Sequence, residues 1–301
     1  MNNNQGWINL YKPKNLSSFQ AIKKIKKNFS IEKIGHAGTL DPLAEGILPV
    51  ALGKTTKLIP FVAMNLKKYK FTITWGSQTS TDDISGSILH TSDNFPSQNK
   101  ILSNLKNYIG IISQVPPTVS AVKINGKRAY KLARENKKFQ ISSKNVYIKN
   151  LKLIKYNQDS SIFEIECGKG FYIRSLARDF ARDLGTFGHI SSLERLKVGR
   201  FTKESSIFLD DLLKIGKRLA DINCVRPSVS MLDDILAYEI VDENDLKDIS
   251  MGKTIKIDEK KLENISLITT EEKDFFLSNN GDIVSIGKLN RNLFKPKKVL
   301  I

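Results

Sequence analysis

The chain is organised around the segment Gly35-His36-Ala37-Gly38-Thr39-Leu40-Asp41-Pro42-Leu43-Ala44-Glu45-Gly46-Ile47-Leu48-Pro49. Gly38 and Gly46 permit backbone angles that other residues avoid. Pro42 fixes its own φ and pushes the preceding Asp41 toward an extended conformation. The pattern therefore predicts a carboxylate, that of Asp41, held on a stiff turn.

Two interpretations of this turn are compatible. Asp followed by Pro is typical of a helix start, with Asp as the N-cap and Pro at the first helical position. The longer motif Gly-His-Ala-Gly-Thr-Leu-Asp-Pro-Leu-Ala-Glu-Gly resembles the catalytic loop of the TruB family of tRNA pseudouridine synthases. The resemblance implies that Asp41 is the catalytic residue, and a cap would also position its carboxylate.

The excess of positive charge lies in the first three-quarters of the chain. The 301 residues hold 48 Lys and Arg against 31 Asp and Glu, a net charge of +17. Residues 228–301 hold 11 basic and 14 acidic residues, so residues 1–227 hold the other 37 and 17. This distribution favours a polyanionic partner for the first part, although a lysine-rich composition can also serve solubility alone.

Composition excludes several classes of site. Two cysteines cannot make a disulfide framework, and the three histidines lack metal-ligand spacing. The N-terminus carries no signal-peptide core, and no apolar run of about 18 residues could span a membrane. We expect a cytoplasmic protein without metal or cofactor and without a membrane partner.

Residues 67–76 alternate strictly and predict a strand with Tyr69, Phe71, Ile73 and Trp75 on one face. Tyr69 could simply line the sheet. The segment also resembles the second family motif, whose tyrosine contacts the target base. Residues 78–86 follow the family's Thr-x-Thr-Asp pattern and predict a hydrogen-bonded polar loop.

The segment from Gln114 to Tyr130 resembles the family's Gln-x-Pro-Pro-x-Tyr-Ser-Ala-x-Lys motif, with Val119 where tyrosine is usual. No catalytic role is therefore assigned to position 119. The segment is densely basic, which predicts contacts with RNA phosphates. The basic residues expected to bind RNA are Lys123, Lys127 and Arg128.

The motif Cys-Gly-Lys-Gly-Phe-Tyr-Ile-Arg, residues 167–174, precedes a helical pattern that Gly185 ends. Arg174 begins the polar face and could pair with a nearby acid such as Asp179. The family motif Cys-x-x-Gly-x-Tyr-Ile-Arg instead implies that Arg174 pairs with the catalytic carboxylate. Tyr172 of this motif is expected to contact RNA. Leu193, in an element similar to the family's Leu-x-Arg-Leu, is expected to pack near the reacting base.

Patterns near the N-terminus predict a strand over residues 6–11 and a helix through about Asn28, capped by Ser17 or Ser18. Phe19, Ile22, Ile25 and Phe29 are predicted on its apolar side. Residues 47–52 fit either a buried strand or a helix turn. Asn15 stands where the family usually has Gly, and Asn tolerates the left-handed region.

The charge shift and Pro227 predict two domains, residues 1–227 and 228–301. The resemblance implies an α+β pseudouridine synthase fold, a mixed and mostly antiparallel sheet with flanking helices and a central cleft. Short apolar pieces broken by Gly and Asn predict a small β-rich C-terminal domain, similar to the family's PUA-type RNA-binding module.

The resemblance implies an isomerase that converts uridine-55 in the T loop of tRNA to pseudouridine, acting as a monomer. The uracil must leave C1′, turn and rejoin through C5, with no redox step or hydrolysis. Asp41 is the expected nucleophile, at uracil C6 or at ribose C1′. Arg174 is expected to hold it ionised and aimed. Tyr69 is expected to stack on the base and assist loss of the C5 proton.

The target nucleotide must swing out of its stack, and His36 on the glycine-rich turn is the candidate ring to fill the gap. A loop histidine bonded to the backbone is the simpler alternative. Two other functions stay open at this point. A non-catalytic tRNA-binding or folding chaperone would need only the basic surface, and a related synthase could act on rRNA or another tRNA site.

Overall fold

The computed structural model describes residues 5–62, 66–135, 137, 139–215, 224–232, 236–240, 242–258 and 273–301. Residues 265–268, predicted as an apolar piece of the C-terminal domain, lie outside these ranges. In the described part of the chain, no helix has the length and apolar character needed to cross a bilayer.

Most strands of the first 227 residues join one large sheet. Strands β5 and β6 form a separate hairpin, and so do β8 and β9. The strands of this part are β1 (Gly6–Lys12), β2 (Ile34–His36), β3 (Glu45–Leu52), β4 (Lys67–Trp75), β5 (Ser77–Thr79), β6 (Ile88–Thr91), β7 (Gly110–Gln114), β8 (Lys123–Ile124), β9 (Lys127–Arg128), β10 (Lys144–Tyr156), β11 (Ser160–Cys167), β12 (Gly188–Val198), β13 (Phe201–Thr202), β14 (Ile207–Phe208) and β15 (Val225–Arg226). The main order is β14-β1-β3-β12-β4-β11-β10-β7. The β1–β14 and β3–β12 pairs are parallel and the other pairs are antiparallel. The predicted mixed, mostly antiparallel sheet is confirmed, and residues 47–52 lie in a strand.

The helices of this part are α1 (Ser18–Asn28), α2 (Ile59–Val62), α3 (Gln98–Leu105), α4 (Ala129–Arg134), α5 (Ile173–Asp183) and α6 (Leu209–Lys214). Ser17 caps α1 through a reciprocal capping box with Gln20. Ala21 and Ile25 form the buried side of α1. The prediction for Phe19 was wrong: this side chain is 68% exposed, because it lies two residues from Ala21 and faces the opposite side of the helix.

Strand β4 shows why the sheet and helix α5 pack together. Tyr69, Phe71, Ile73 and Trp75 are all buried on one face, as the alternation predicted. Trp75 meets Phe180 of α5 with ring centroids 6.3 Å apart. Tyr69 lies on the same face as this aromatic core, so its position is set by packing that extends along the whole strand.

The described C-terminal residues form a second sheet and a helix. Its elements are β16 (Leu236–Glu239), α7 (Glu243–Ser250), β17 (Ile255–Lys256), β18 (Lys273–Asn279), β19 (Asp282–Asn290) and β20 (Leu293–Val299), in the order β16-β18-β19-β20-β17. A hydrophobic cluster that includes Trp7, Phe276 and Leu300 joins the two sheets. The Trp7 indole also donates to the Ser228 carbonyl at 3.0 Å. The boundary at residue 228 stays a prediction.

Gly46 sits at the closest approach of β3 and β12, where it is the register partner of Arg195. It has a φ of +110°, and a Cβ atom there would lie 2.2 Å from the Arg195 carbonyl oxygen. Gly110 has a similar φ of +96°, but a Cβ atom there would meet nothing within 4 Å.

We expect Gly46→Ala to destabilise the fold by about 1–3 kcal/mol more than Gly110→Ala, because only the first substitution adds a backbone clash to the shared strain of positive φ. Chemical denaturation followed by circular dichroism measures both variants. Equal losses of stability would show that β3 and β12 separate easily at this point.

Candidate active site

The turn that carries Asp41 is held from the side of helix α1. The Ser18 hydroxyl donates to the Leu40 carbonyl at 3.0 Å and accepts from the Leu40 amide at 2.8 Å. The amide of Asn15 donates to the Pro42 carbonyl at 2.7 Å. Asn15 has a φ of 61°, so it adopts the left-handed conformation predicted for it. These bonds fix the backbone on both sides of Asp41.

Asp41 does not begin a helix, so that interpretation was wrong. The Ala44 amide donates to the Asp41 carbonyl at 3.1 Å, which closes a turn, and strand β3 begins at Glu45. The carboxylate of Asp41 is therefore not occupied in capping backbone amides. Its side chain is 33% exposed, which leaves part of it open to the adjacent cavity.

Lys12 supports the same turn from beneath, and sequence reasoning missed it. The fully buried ammonium donates to the carbonyls of Pro13, Leu16 and Ala44 at 2.7, 2.6 and 2.5 Å. Burial, helped by the nearby Arg195 charge, lowers the pKa of Lys12 to about 8. The available signal was a lysine at the end of an otherwise apolar strand.

Asp41 and Arg174 form a two-point ion pair, as the resemblance implied. Nε of Arg174 donates to Oδ2 at 2.9 Å, and Nη2 donates to Oδ1 at 3.2 Å. Arg174 is only 4% exposed, although the sequence placed it on a polar face. The alternative pairing with Asp179 is wrong, because Asp179 accepts from Arg178 at 2.8 Å.

The other donors of Arg174 are also used. Nη1 donates to the Thr81 carbonyl at 2.9 Å, and Nη2 donates to the Val119 carbonyl at 3.0 Å. Asp83 lies 3.6 Å from Nε and accepts from the Thr81 hydroxyl at 2.8 Å. The polar loop predicted from residues 78–86 thus uses its hydrogen bonds to hold the guanidinium. Val119 contributes a backbone carbonyl, which does not depend on its side chain.

A cavity of about 310 Å³ opens beside this ion pair, at the lower end of the range of ligand pockets. Five of the predicted site residues line it: Asp41, Tyr69, Tyr172, Arg174 and Leu193. Leu193 is 4% exposed and adds an apolar wall. The cavity therefore combines one oriented carboxylate with aromatic and aliphatic surfaces, which suits a flat, partly polar ligand.

Tyr69 and Arg195 are register partners on β4 and β12. Burial raises the pKa of Tyr69, so the side chain is a neutral phenol near pH 7, and Arg195 is hydrogen-bonded to it. Arg195 also donates to the carbonyls of Ile47 at 2.6 Å and Gly38 at 3.0 Å. This arginine was missed, although its position two residues from Leu193 predicts that it faces the same way.

Tyr172 lies at the N-terminus of α5, where Gln114 fixes the backbone. The Gln114 amide group accepts from the Tyr172 amide at 2.9 Å and donates to its carbonyl at 3.1 Å. Burial raises the pKa of the Tyr172 phenol. Tyr172, two residues before Arg174 in the motif, is thus anchored to the segment that begins at Gln114.

The other predicted site residues do not line the cavity. Lys123, Lys127 and Arg128 are exposed on the hairpin β8–β9, whose turn is Asn125-Gly126. His36 is half-buried on β2, and not exposed on a turn as predicted. Its Nδ1 is buried without a hydrogen-bond partner, and burial lowers its pKa, so the ring is neutral at pH 7.

Comparison with known proteins agrees with this geometry. Residues 26–173 match the family described as TruB family pseudouridylate synthase (N terminal domain). Proteins named tRNA pseudouridine synthase B are similar over 98% of this chain and 95% of their own length, with 41% identity in Brucella anthropi, 41% in Bartonella henselae and 40% in Rhizobium johnstonii.

Solved structures share the fold at lower identity. A chain in a Cbf5-Nop10-Gar1 complex matches with a TM-score of 0.73 and 22% identity, over 98% of this chain and 85% of that one. A chain in an H/ACA RNP bound to a substrate RNA containing 2′-deoxyuridine matches with a TM-score of 0.72, 20% identity and the same coverage. The predicted pseudouridine synthase fold is confirmed, and the C-terminal β-rich sheet accords with a PUA-like domain. On this sequence similarity, the chain belongs to the TruB family of pseudouridylate synthases.

Proposed function

We propose that this protein isomerises uridine-55 in the T loop of tRNA to pseudouridine, with Asp41 as the nucleophile. As a member of the TruB family it is a pseudouridine synthase, an isomerase. The observation that carries the assignment of Asp41 is its two-point ion pair with Arg174 at the edge of a cavity large enough for a nucleobase. The relatives' name supports tRNA as the substrate.

The reaction breaks the N1–C1′ bond of uridine, forms a C5–C1′ bond, removes the proton on C5 and returns a proton to N1. Asp41 can attack uracil C6 or ribose C1′, and both routes use a carboxylate aimed into the cavity. Arg174 orients that carboxylate and balances its charge without closing the face open to the cavity.

Tyr69 and Leu193 define how the base would lie. The Tyr69 ring offers a stacking surface, and Leu193 excludes water that would otherwise hydrolyse an intermediate. Because burial raises its pKa, Tyr69 begins the reaction as a phenol. A phenol can take the C5 proton only if it gives up its own hydroxyl proton, and the N1 atom that must be protonated is the group that would receive it. The hydrogen bond from Arg195 would stabilise the phenolate character that develops during this exchange.

The cavity can accept a base only after the nucleotide leaves its stack. We place the RNA backbone along the exposed hairpin of Lys123, Lys127 and Arg128, which carries the charge needed for phosphate contacts. The neutral ring of His36 is the group proposed to fill the vacated stack.

We further propose that residues 228–301 form a separate RNA-contacting module and that the enzyme is a cytoplasmic monomer. The module has a net charge of −3, so most phosphate contacts are assigned to residues 1–227. Sedimentation of the free protein tests the monomer. Slower hydrogen exchange in residues 228–301 of the full chain when a T-arm stem-loop is bound would support the module, and unchanged exchange there would exclude it.

We expect Asp41→Asn to abolish pseudouridine formation in a T-arm stem-loop while its affinity for the RNA is retained, because the amide is not a nucleophile. Tritium release from uracil C5 and carbodiimide labelling measure the product. Binding by the unaltered protein without any product would favour the tRNA-folding chaperone. Product only from other stem-loops would favour a different RNA site.

Replacing Arg174 by Lys is expected to lower the single-turnover rate about 10²–10³-fold, since an ammonium cannot reproduce the two parallel bonds to Asp41 or reach Thr81 and Val119 together. Rapid-quench assays at saturating enzyme measure this rate. A rate within threefold of the unaltered protein would contradict the positioning role of Arg174.

The hairpin and His36 are expected to respond differently. Replacing Lys123, Lys127 and Arg128 together with Gln should weaken RNA binding and flatten its salt dependence, because fewer counterions are released.

His36→Ala should slow the single-turnover rate more than it weakens binding, because the His36 ring is proposed to act when the base leaves its stack. Filter binding over a salt series measures the effect of the hairpin variant, and rapid quench measures the rate of His36→Ala. Unchanged salt slope for the triple variant, or an unchanged rate for His36→Ala, would exclude the corresponding role.

A further inference from the structure

Arg178 repeats the bonding of Arg174 one turn further along helix α5. The two residues are four positions apart, so their side chains leave the same face of the helix. Nη1 of Arg178 donates to Oδ2 of Asp82 at 3.0 Å, and Nη2 donates to the Val115 carbonyl at 2.9 Å. Both arginines thus reach the same two segments, the polar loop of residues 78–86 and the segment that follows β7. The mechanism above assigns Arg178 no role.

Arg178 and Asp82 form a buried ion pair. The side chain of Arg178 is 11% exposed and that of Asp82 is 8% exposed. Asp179, the next residue of α5, holds the same guanidinium through bonds of 2.8 Å to Nε and 3.2 Å to Nη2. The side-chain amide of Gln78 donates to the other carboxylate oxygen of Asp82 at 3.2 Å. A buried ion pair is weak evidence for stabilisation, so its effect on position has to be considered.

Asp82 has a backbone conformation that directs the neighbouring carbonyl. Its φ is +58°, in the left-handed region that Asp tolerates better than most residues. Its amide donates to the Thr79 carbonyl at 3.2 Å, and its carbonyl accepts from the Ile190 amide at 3.1 Å. Because the N–H and C=O of a planar trans peptide point in opposite directions, the Thr81 carbonyl points away from Thr79. That carbonyl accepts from Nη1 of Arg174 at 2.9 Å.

We propose that the Arg178–Asp82 ion pair is a positioning device for the reaction. The pair fixes the peptide that joins Thr81 to Asp82, and the carbonyl of this peptide holds the guanidinium of Arg174. The ion pair thereby keeps Arg174 aimed at Asp41. Arg178 and Asp82 do not line the cavity, so they act through Arg174 and not on the base. This inference rests on the proposed function, because a displacement of about 1 Å at a reacting group can slow a reaction about 10²-fold.

The bonds of Arg178 to the two segments differ in how easily they are replaced. The Val115 carbonyl also accepts from the Ser175 hydroxyl at 2.8 Å, so it keeps a partner when Arg178 is removed. Asp82 would keep the Gln78 amide but lose its ion-pair partner. The loss of Arg178 should therefore fall mainly on the polar loop, which is the segment that carries the Thr81 carbonyl.

Arg178→Met tests the proposal, because it keeps a straight apolar stem and removes every donor. We expect it to lower the single-turnover rate on a T-arm stem-loop about 10-fold to 10²-fold, while RNA affinity changes less than threefold. The matched control is Asp183→Asn, which removes a carboxylate of the same helix whose bond of 2.5 Å goes to the Tyr108 hydroxyl and not to the polar loop. Asp183→Asn should match the rate of the unaltered protein.

A double-mutant cycle with Arg174→Lys separates a positioning role from a purely structural one. If Arg178 acts through the Arg174 guanidinium, Arg178→Met should slow the Arg174→Lys variant less than threefold, because the group it positions is already absent. A structural loss that only lowers the folded fraction would slow both backgrounds by the same factor. An effect at least threefold larger with Arg174 present supports the proposal, and any smaller difference overturns it. If Arg178→Met does not fold, Asp82→Asn, which keeps the size and the left-handed backbone, is judged by the same criterion.

Exchange of the Arg174 Nε proton, followed by NMR in the free protein, gives a readout that does not need the reaction. This proton is donated to Asp41 at 2.9 Å. Arg178→Met should speed its exchange at least threefold, and Asp183→Asn should leave it unchanged. Unchanged exchange in Arg178→Met would overturn the positioning role whether or not the protein is active. No product from the unaltered protein on any T-arm stem-loop would instead refute the proposed function.

Discussion

The site depends on one ion pair between segments far apart in the chain. Asp41 lies on a turn between β2 and β3, and Arg174 lies in the first turn of α5. Burying a guanidinium is costly unless its donors are satisfied, and here two bonds go to the carboxylate and two to carbonyls. The segments that supply those carbonyls, around Thr81 and Val119, are therefore brought to the same point. The cavity is what remains open when these four segments meet.

Three separate elements hold the backbone of the turn that carries Asp41. Ser18 holds it from α1, Lys12 from β1 and Arg195 from β12, each through bonds to backbone carbonyls. Such bonds constrain the path of the chain without engaging the carboxylate itself. The close approach of β3 and β12 at Gly46 brings the Arg195 side chain beneath the turn. Rigid placement of the acid therefore follows from the scaffold.

The buried cations around the site serve different purposes according to their partners. Arg174 faces a carboxylate, Lys12 faces three carbonyl groups, and Arg195 ties two strands and a phenol to the turn. The basic residues of the first 227 positions are thus not all at the surface. Some of them are internal, where each cation bonds to several defined partners.

The sequence by itself determined the secondary structure of the site and most of its residues. Alternation in β4, the capping box of α1 and the glycine after α5 are local signals, because side-chain period and capping act over a few residues. Family motifs identified Asp41, Tyr69, Tyr172, Arg174 and Leu193, and all five line one cavity.

Only the tertiary structure decided what the local signals left open or misassigned. Phe19 looked apolar and is exposed, and Arg174 looked polar and is buried, because the chemical type of a side chain does not say which neighbour covers it. The strand character of residues 47–52 depended on pairing with β1 and β12. Lys12 and Arg195 acquired their positions from strands that meet only in the folded chain. The lowered pKa of Lys12 and the hydrogen bonds of Arg195 both depend on burial against distant segments, which a local stretch of sequence does not reveal.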